Sequence, residues 1–204
     1  MIETVAAFFR DGGIFMYLIL IVSVIGTAII VERGFVLLFK FNVDGRALWE
    51  KVSKYIREGH PDKAMALCKD SDVPLLRVLN AGISASHGSE RDIQNAIDEV
   101  AVEIIPAIDK RIHYLATLAN IATLMGLLGT IQGLIQAFSA VGVADPSQKA
   151  GLLASGISIA LYTTFFGLII AIPMLSMYTI LQARAMRAID EIDEFSVKLM
   201  KNIL

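Results

Sequence analysis

Residues 112–183 read IHYLATLANIATLMGLLGTIQGLIQAFSAVGVADPSQKAGLLASGISIALYTTFFGLIIAIPMLSMYTILQA. With His113 counted as neutral, the stretch holds two uncharged runs, Ile112 to Ala144 and Ala150 to Ala183, separated by the polar turn Asp145-Pro-Ser-Gln-Lys149. A helix needs about 20 apolar residues to cross the hydrocarbon of a bilayer. Both runs exceed that length, and the Pro-containing turn between them is short, so the pattern predicts a helical hairpin across a membrane. A third uncharged run, Gly12 to Val31, lies upstream. Arg10 before it gives the look of a secretory signal, but an h-region has about 7 to 15 residues and a small-x-small cleavage site. Here 20 uncharged residues are followed by Glu32-Arg33, so it is expected to be an uncleaved span.

Composition agrees with three spans. Hydrophobic residues make up 55% of the 204 and the mean hydropathy is +0.64, above what a soluble domain carries. The 18 Lys and Arg nearly balance the 20 Asp and Glu, which gives no basis for binding nucleic acid. A single cysteine, Cys68, excludes an intramolecular disulfide, and no Cys or His cluster has metal-ligand spacing. His60, His87 and His113 are scattered, and no nucleophile and base share a motif, so an enzyme is not expected.

The basic residues set the expected orientation. Twelve lie between spans one and two, and Arg184, Arg187, Lys198 and Lys201 follow span three, leaving only Arg10 and Lys149 on the other side. The positive-inside rule places the rich side in the cytoplasm and the N-terminus and hairpin turn outside. The expected layout is an amphipathic outer helix over 1–11 (Ile2, Val5, Ala6 and Phe9 at helical spacing), spans at 12–31, 112–141 and 151–181, a turn at 142–150, a cytoplasmic helical region over 32–111 and a C-terminal helix over 182–204.

Within the cytoplasmic region, Val43 to Glu58 is periodic, Gly59-His60-Pro61 closes one helix and opens another, and Ser89 to Asp92 suggests a capping box. The helix that starts there is expected to run through Lys110 into span two, with Pro106 as the place for a bend. Span three is expected to continue to Met200, since Ile189, Ile192, Phe195 and Leu199 recur every three or four residues. The fold class is all-α, with long membrane helices extending into a cytoplasmic bundle.

Both hairpin spans carry stripes of small residues. Gly126, Thr130, Gly133 and Ala137 fall at i, i+4, i+7 and i+11, Gly129 and Gly133 form a GxxxG, and Gly156, Ala160, Thr163 and Gly167 repeat the spacing, with Thr164 beside them and Ala171 continuing the row. Such stripes let helix backbones approach closely in lipid. Their hydroxyls are either bonded to their own backbones or line a polar path at a helix interface. Thr130, Thr163 and Thr164 are the main candidates for such a path, with Gln132, Gln136, Ser155, Ser158 and Tyr162 behind them. No Asp, Glu, Lys or Arg lies in the three uncharged runs. A proton relay near neutral pH needs a titratable group, so a conducting assembly requires a carboxylate from another subunit.

Gly126-Leu-Leu-Gly-Thr-Ile-Gln-Gly133 and Gly156-Ile-Ser-Ile-Ala-Leu-Tyr-Thr-Thr-Phe-Phe-Gly-Leu168, followed by Ala171-Ile-Pro173, resemble the paired signatures of the ExbB/TolQ/MotA family. The stretch Gly59 to Gly82, with Ala66-Leu67-Cys68 and Pro74, is also similar. The resemblance implies a homo-oligomeric ring, a pentamer, around a dimer of a single-span partner like ExbD, TolR or MotB, in the bacterial inner membrane. The partner's membrane helix would carry the ion-binding Asp, and the Thr of GLxGT and a Thr on the next span would face it. By position these are Thr130 and Thr164, with Thr163 adjacent. The implied function is conversion of an ion gradient into mechanical work. The transported ion would be H+, with Na+ the alternative, and no cofactor is implied. A MotA-like motility stator and a passive membrane scaffold are the rival readings. Relatives carry a Glu in a GIxEAL motif where this chain has Ile159, so a ring-borne carboxylate is not expected.

Overall fold

A computed structural model of the chain describes residues 9, 12–41, 43–69 and 71–203, and apart from Phe9 the expected N-terminal helix lies outside them. Among the described residues all regular structure is helical. The helices are α1 (Ile14–Phe35), continued by a π-helical turn Val36–Lys40, then α2 (Gly45–Arg57), α3 (Pro61–Cys68), α4 (Pro74–Ser84), α5 (Glu90–Asp109), α6 (Ile112–Val143) and α7 (Lys149–Ile203). Three stretches are long and apolar enough to cross a membrane, in α1, in the α5–α6 region and in α7. The chain divides into two compact units, one of Met1–Val31 with Ile112–Thr179, the other of Glu32–Arg111 with Ile180–Leu204.

In the first unit α6 and the first part of α7 form an antiparallel hairpin through the turn at Asp145, whose carbonyl accepts from the Gln148 amide at 2.9 Å. α1 joins them. Met16 and Ile19 are fully buried, and a side chain at Gly26 would collide with the Met174 thioether. Phe9 packs edge-on against Phe166, with ring centroids 5.2 Å apart.

The second unit is built from short, capped helices. Asp44 caps α2 by accepting from the Arg46 and Ala47 amides at 3.0 and 3.2 Å. Gly59 takes a positive φ of 73°, which a glycine adopts without steric cost, and Pro61 then occupies the first turn of α3. The Ser89–Asp92 capping box is present: the Ser89 amide donates to the Asp92 carboxylate at 2.7 Å, and the Asp92 amide donates to the Ser89 hydroxyl. The Ser89 hydroxyl, which also donates to the Asp92 carboxylate at 2.7 Å, and after it the Ser89 amide hold the Asp92 carboxyl below its ordinary range.

The expected continuous helix from Ser89 into span two is corrected at one place. Pro106 stays inside α5, and the break comes instead at Lys110 and Arg111, where Arg111 takes φ 65°. Side chains hold this break. Arg111 pairs with Glu32 at 2.8 Å, Glu32 also accepts from Arg33 at 2.8 Å, and Arg33 donates to the Ala107 carbonyl at 3.2 Å. Ala107 lies in the last turn of α5, where carbonyls have no intrahelical donor, so the Arg33 guanidinium caps that helix end.

The core of this unit gathers Val52, Leu79, Ile83, Ile93, Ile97, Ile108 and, from α7, Ile192, Phe195 and Leu199, all buried. Trp49 stacks on Phe195 at 5.6 Å, and a Cβ at Gly82 would lie 2.6 Å from Leu199 and 3.1 Å from Ile97, so α4 packs closely here. Cys68 is buried, and burial pushes its thiol up to about 11.

Candidate functional site

The two small-residue stripes face each other across the hairpin. A Cβ on Gly133 would sit 3.0 Å from the Gly156 carbonyl and 3.0 Å from the Ala160 amide; one on Gly126 would sit 3.1 Å from the Thr163 carbonyl. On Gly167 it would sit 2.7 Å from the Ala122 carbonyl, and on Gly156 it would overlap Ala137. These are backbone contacts, so no rotamer change relieves them. The helices therefore pack as closely as glycine permits, where dispersion rather than solvent exclusion drives association in lipid.

The threonines divide by position. Thr163 is 1% exposed, seated over Gly129, and its hydroxyl donates to the Ala160 carbonyl at 2.9 Å. It fills the seam. Thr164 reaches across the seam and donates to the Gly126 carbonyl at 3.3 Å. Thr130 follows Gly126 by one turn and donates to the Leu127 carbonyl at 2.6 Å. Helical spacing in the antiparallel pair puts Thr130 and Thr164 on the same lip of the seam, both half-buried. By the same spacing Gln132, Gln136, Ser155 and Tyr162 lie away from that lip, and Ser158 lies on the face of α7 turned from the seam.

The lip has a definite electrostatic character. Each hydroxyl has its proton engaged by a carbonyl and presents its oxygen lone pairs, which suits a cation or an O–H donor. A hydroxyl rotates easily, so the same two groups can turn and donate to a carboxylate. The two uncharged runs of the hairpin hold no titratable carboxyl: Ile159 stands in the seam region with its carbonyl accepting from Thr163 at 3.4 Å.

Two contributors escaped the sequence reading. Ala122 extends the α6 stripe one turn beyond Gly126, and the signal was the continuation of the same i, i+4 spacing. In the sequence Arg33 bears only on the end of the first span and on orientation, yet it is 6% exposed and caps α5. No local pattern marks a capping partner 74 residues away.

Three long apolar helical stretches and a glycine-seamed hairpin define a multi-pass membrane protein. Residues 70–194 match the MotA/TolQ/ExbB proton channel family, and the chain belongs to that family. It is 26% identical to an ExbB homolog, named as a biopolymer transport protein, of Methanothermobacter thermautotrophicus over 98% of this chain and 70% of the relative. An ExbB-like biopolymer transport protein of Synechocystis is 26% identical over 90% of this chain and 87% of its own length. The Tol-Pal system protein TolQ of Haemophilus influenzae is 36% identical over 47% of this chain and 43% of its own length. The family consists of transport proteins rather than enzymes, and membership implies complexes of the ExbB/TolQ type.

Proposed function

We propose that the chain is the ring subunit of an ion-driven motor of the bacterial inner membrane, with its N-terminus and hairpin turn periplasmic and the Glu32–Arg111 and C-terminal helices cytoplasmic. Spans over 12–31, 112–141 and 151–181 of five copies would surround the membrane helices of two single-span partners resembling ExbD or TolR. The observation that carries this reading is the pairing of a hydroxyl lip at Thr130 and Thr164 with spans that hold no charged residue. Such a lip hydrates an ion but does not carry a proton by itself, so the missing group is a partner carboxylate.

A proton moving down the membrane potential releases about 2.3 kcal/mol per 100 mV. When the partner Asp is charged, Thr130 and Thr164 turn and donate to it; when it is protonated, their hydroxyls return to the Leu127 and Gly126 carbonyls and their oxygens accept from the carboxylic acid. The two states favour different positions of the partner helix, and repeated protonation moves partner against ring. Thr163 holds the seam on which the lip is built. The work performed at the cell envelope depends on the partner's outer domain, and transport of biopolymers is the use suggested by the relatives' names.

Purification from native membranes in mild detergent, followed by native mass spectrometry, tests this assembly. A ring of five with two small single-span chains bearing a membrane Asp is the expected result. A homo-oligomer that never carries such a chain, across several gentle detergents, would support the scaffold reading instead.

A further inference from the structure

The Glu32–Arg111 and C-terminal unit carries opposite charge on two helices that do not pack on each other. α5 holds six acidic residues and one basic, whereas α2 holds four basic residues and one acidic. Packing runs from α2 to α3, α3 to α4 and α4 to α5. α7 lies between the charged pair: Phe195 stacks on Trp49 of α2, while Asp193, Ser196 and Met200 line a groove with α5, and helical spacing puts these sets on roughly opposite faces of α7.

The acidic side is shaped as well as charged. A groove of about 190 Å³ runs between α5 and α7, flanked by Asp98 and Asp193, and Gln94 donates to Asp98 at 2.7 Å. Ser196 lines it, 8% exposed, with a buried hydroxyl that has no hydrogen-bond partner. Val197 in the groove wall is 48% exposed, and with Ala101 and Met200 it gives the groove an apolar lining between the two carboxylates. On the opposite side Ala47, Lys51 and Lys54 follow one another at i, i+4 and i+7 on the outward face of α2, all exposed. The Lys54 ammonium is 71% exposed and only 3.9 Å from Glu58.

We propose that the acidic α5–α7 groove of one copy receives the basic face of α2 from the next copy, with Lys51 and Lys54 against Asp98 and Asp193. Charge complementarity between separate faces of the same unit selects a second copy as the occupant and makes the contact heterologous, head to tail, the type that closes into a ring. The ion pairs fix register and sign, and Val197, Ala101 and Met200 supply the apolar area. This inference rests on the ring reading given above and names the surface that joins the copies.

The test is cross-linking of the full chain in its native membrane with a short bismaleimide. The wild type, whose single Cys68 is buried, serves as the blank. Lys54→Cys with Asp98→Cys in one chain is expected to give a ladder of cross-linked copies, and either single variant is expected to give none. In parallel, Asp98→Lys with Asp193→Lys should weaken association by about tenfold, the effect of losing two exposed pairs, and adding Lys51→Glu with Lys54→Glu should restore it. No ladder from a chain that native mass spectrometry finds as a ring overturns this contact and leaves the ring reading standing. Self-linking of either single variant overturns the head-to-tail arrangement, and a monomeric wild type removes both.

Discussion

The hairpin and the short-helix unit obey opposite rules of packing. In the hairpin the large apolar residues point outward: Leu127, Ile135, Phe138, Leu161, Phe165 and Ile172 are all exposed, and the seam is glycine, alanine and threonine. In the other unit the large residues Leu79, Ile93, Phe195 and Leu199 are inside and the charges other than Arg33 are outside. The difference follows from the solvent. Lipid offers leucine no reason to hide, so the hairpin is held by close backbone contact; water does, so the second unit is held by burial of large side chains, with caps at its helix ends.

The contrast is broken most severely at Gly133. Leucine is a better helix former than glycine, so propensity alone would stabilise Gly133→Leu. Because a Cβ there meets backbone of the facing helix at 3.0 Å, the change is expected to cost about 3 kcal/mol and to lower the yield of monodisperse protein. Gly142→Ala or Gly151→Ala, where nothing lies within 4 Å, should change neither yield nor Tm. A substitution at Gly133 that behaved like these would mean that the seam is not a contact.

Arg33→Ala probes the second unit's polar end. Removing the guanidinium leaves the Ala107 carbonyl without its donor and takes one of the two arginine partners from Glu32, and a loss of about 2 kcal/mol is expected in thermal unfolding. Ser89→Ala removes one half of a capping box and should cost about 1 kcal/mol, read as a drop in Tm with the hairpin unaffected.

The smallest effect has the opposite sign. Glu191, outside the uncharged run of α7, has its carboxyl raised by desolvation first and by Asp44 second, against the pull of Arg187 and Arg46. A raised carboxyl favours folding when protonated, so its contribution is fully present below the unfolded pKa of 4.5 and is lost as pH rises through the higher folded value. Glu191→Gln should therefore raise Tm slightly at pH 7 to 8 and flatten its pH dependence above 4.5. An unchanged pH profile would contradict the desolvation.

Much of the first unit was legible because its determinants are local. Uncharged run length gives apolar helices, and a spacing of four and three along Gly126 to Ala137 and Gly156 to Gly167 gives the facing stripes. In the second unit the cap at Ser89 and the turn at Gly59 were visible for the same reason, whereas the Asp44 cap was not read from the sequence. The break at Arg111 was not, since Pro106 is the stronger local signal and the true cause, the Glu32 pair, is 79 residues away in sequence. The division of the threonines was only half visible. Spacing put Thr130 and Thr163 in the stripes and Thr164 beside its row, but whether a hydroxyl fills the seam or stands at its lip depends on which helix faces which.

The central claim is that this chain supplies a hydroxyl lip and another chain supplies the carboxylate. Proton flux into liposomes under an imposed potential, followed with an internal pH dye, tests it for the chain purified with its membrane partner and for the chain alone. The account predicts flux only with the partner, reduced roughly tenfold to hundredfold by Thr130→Val with Thr164→Val, since hydrogen bonds to a charged group are lost while the seam at Thr163 is kept. Flux through the chain alone, or through the double variant at the wild-type rate, would contradict it.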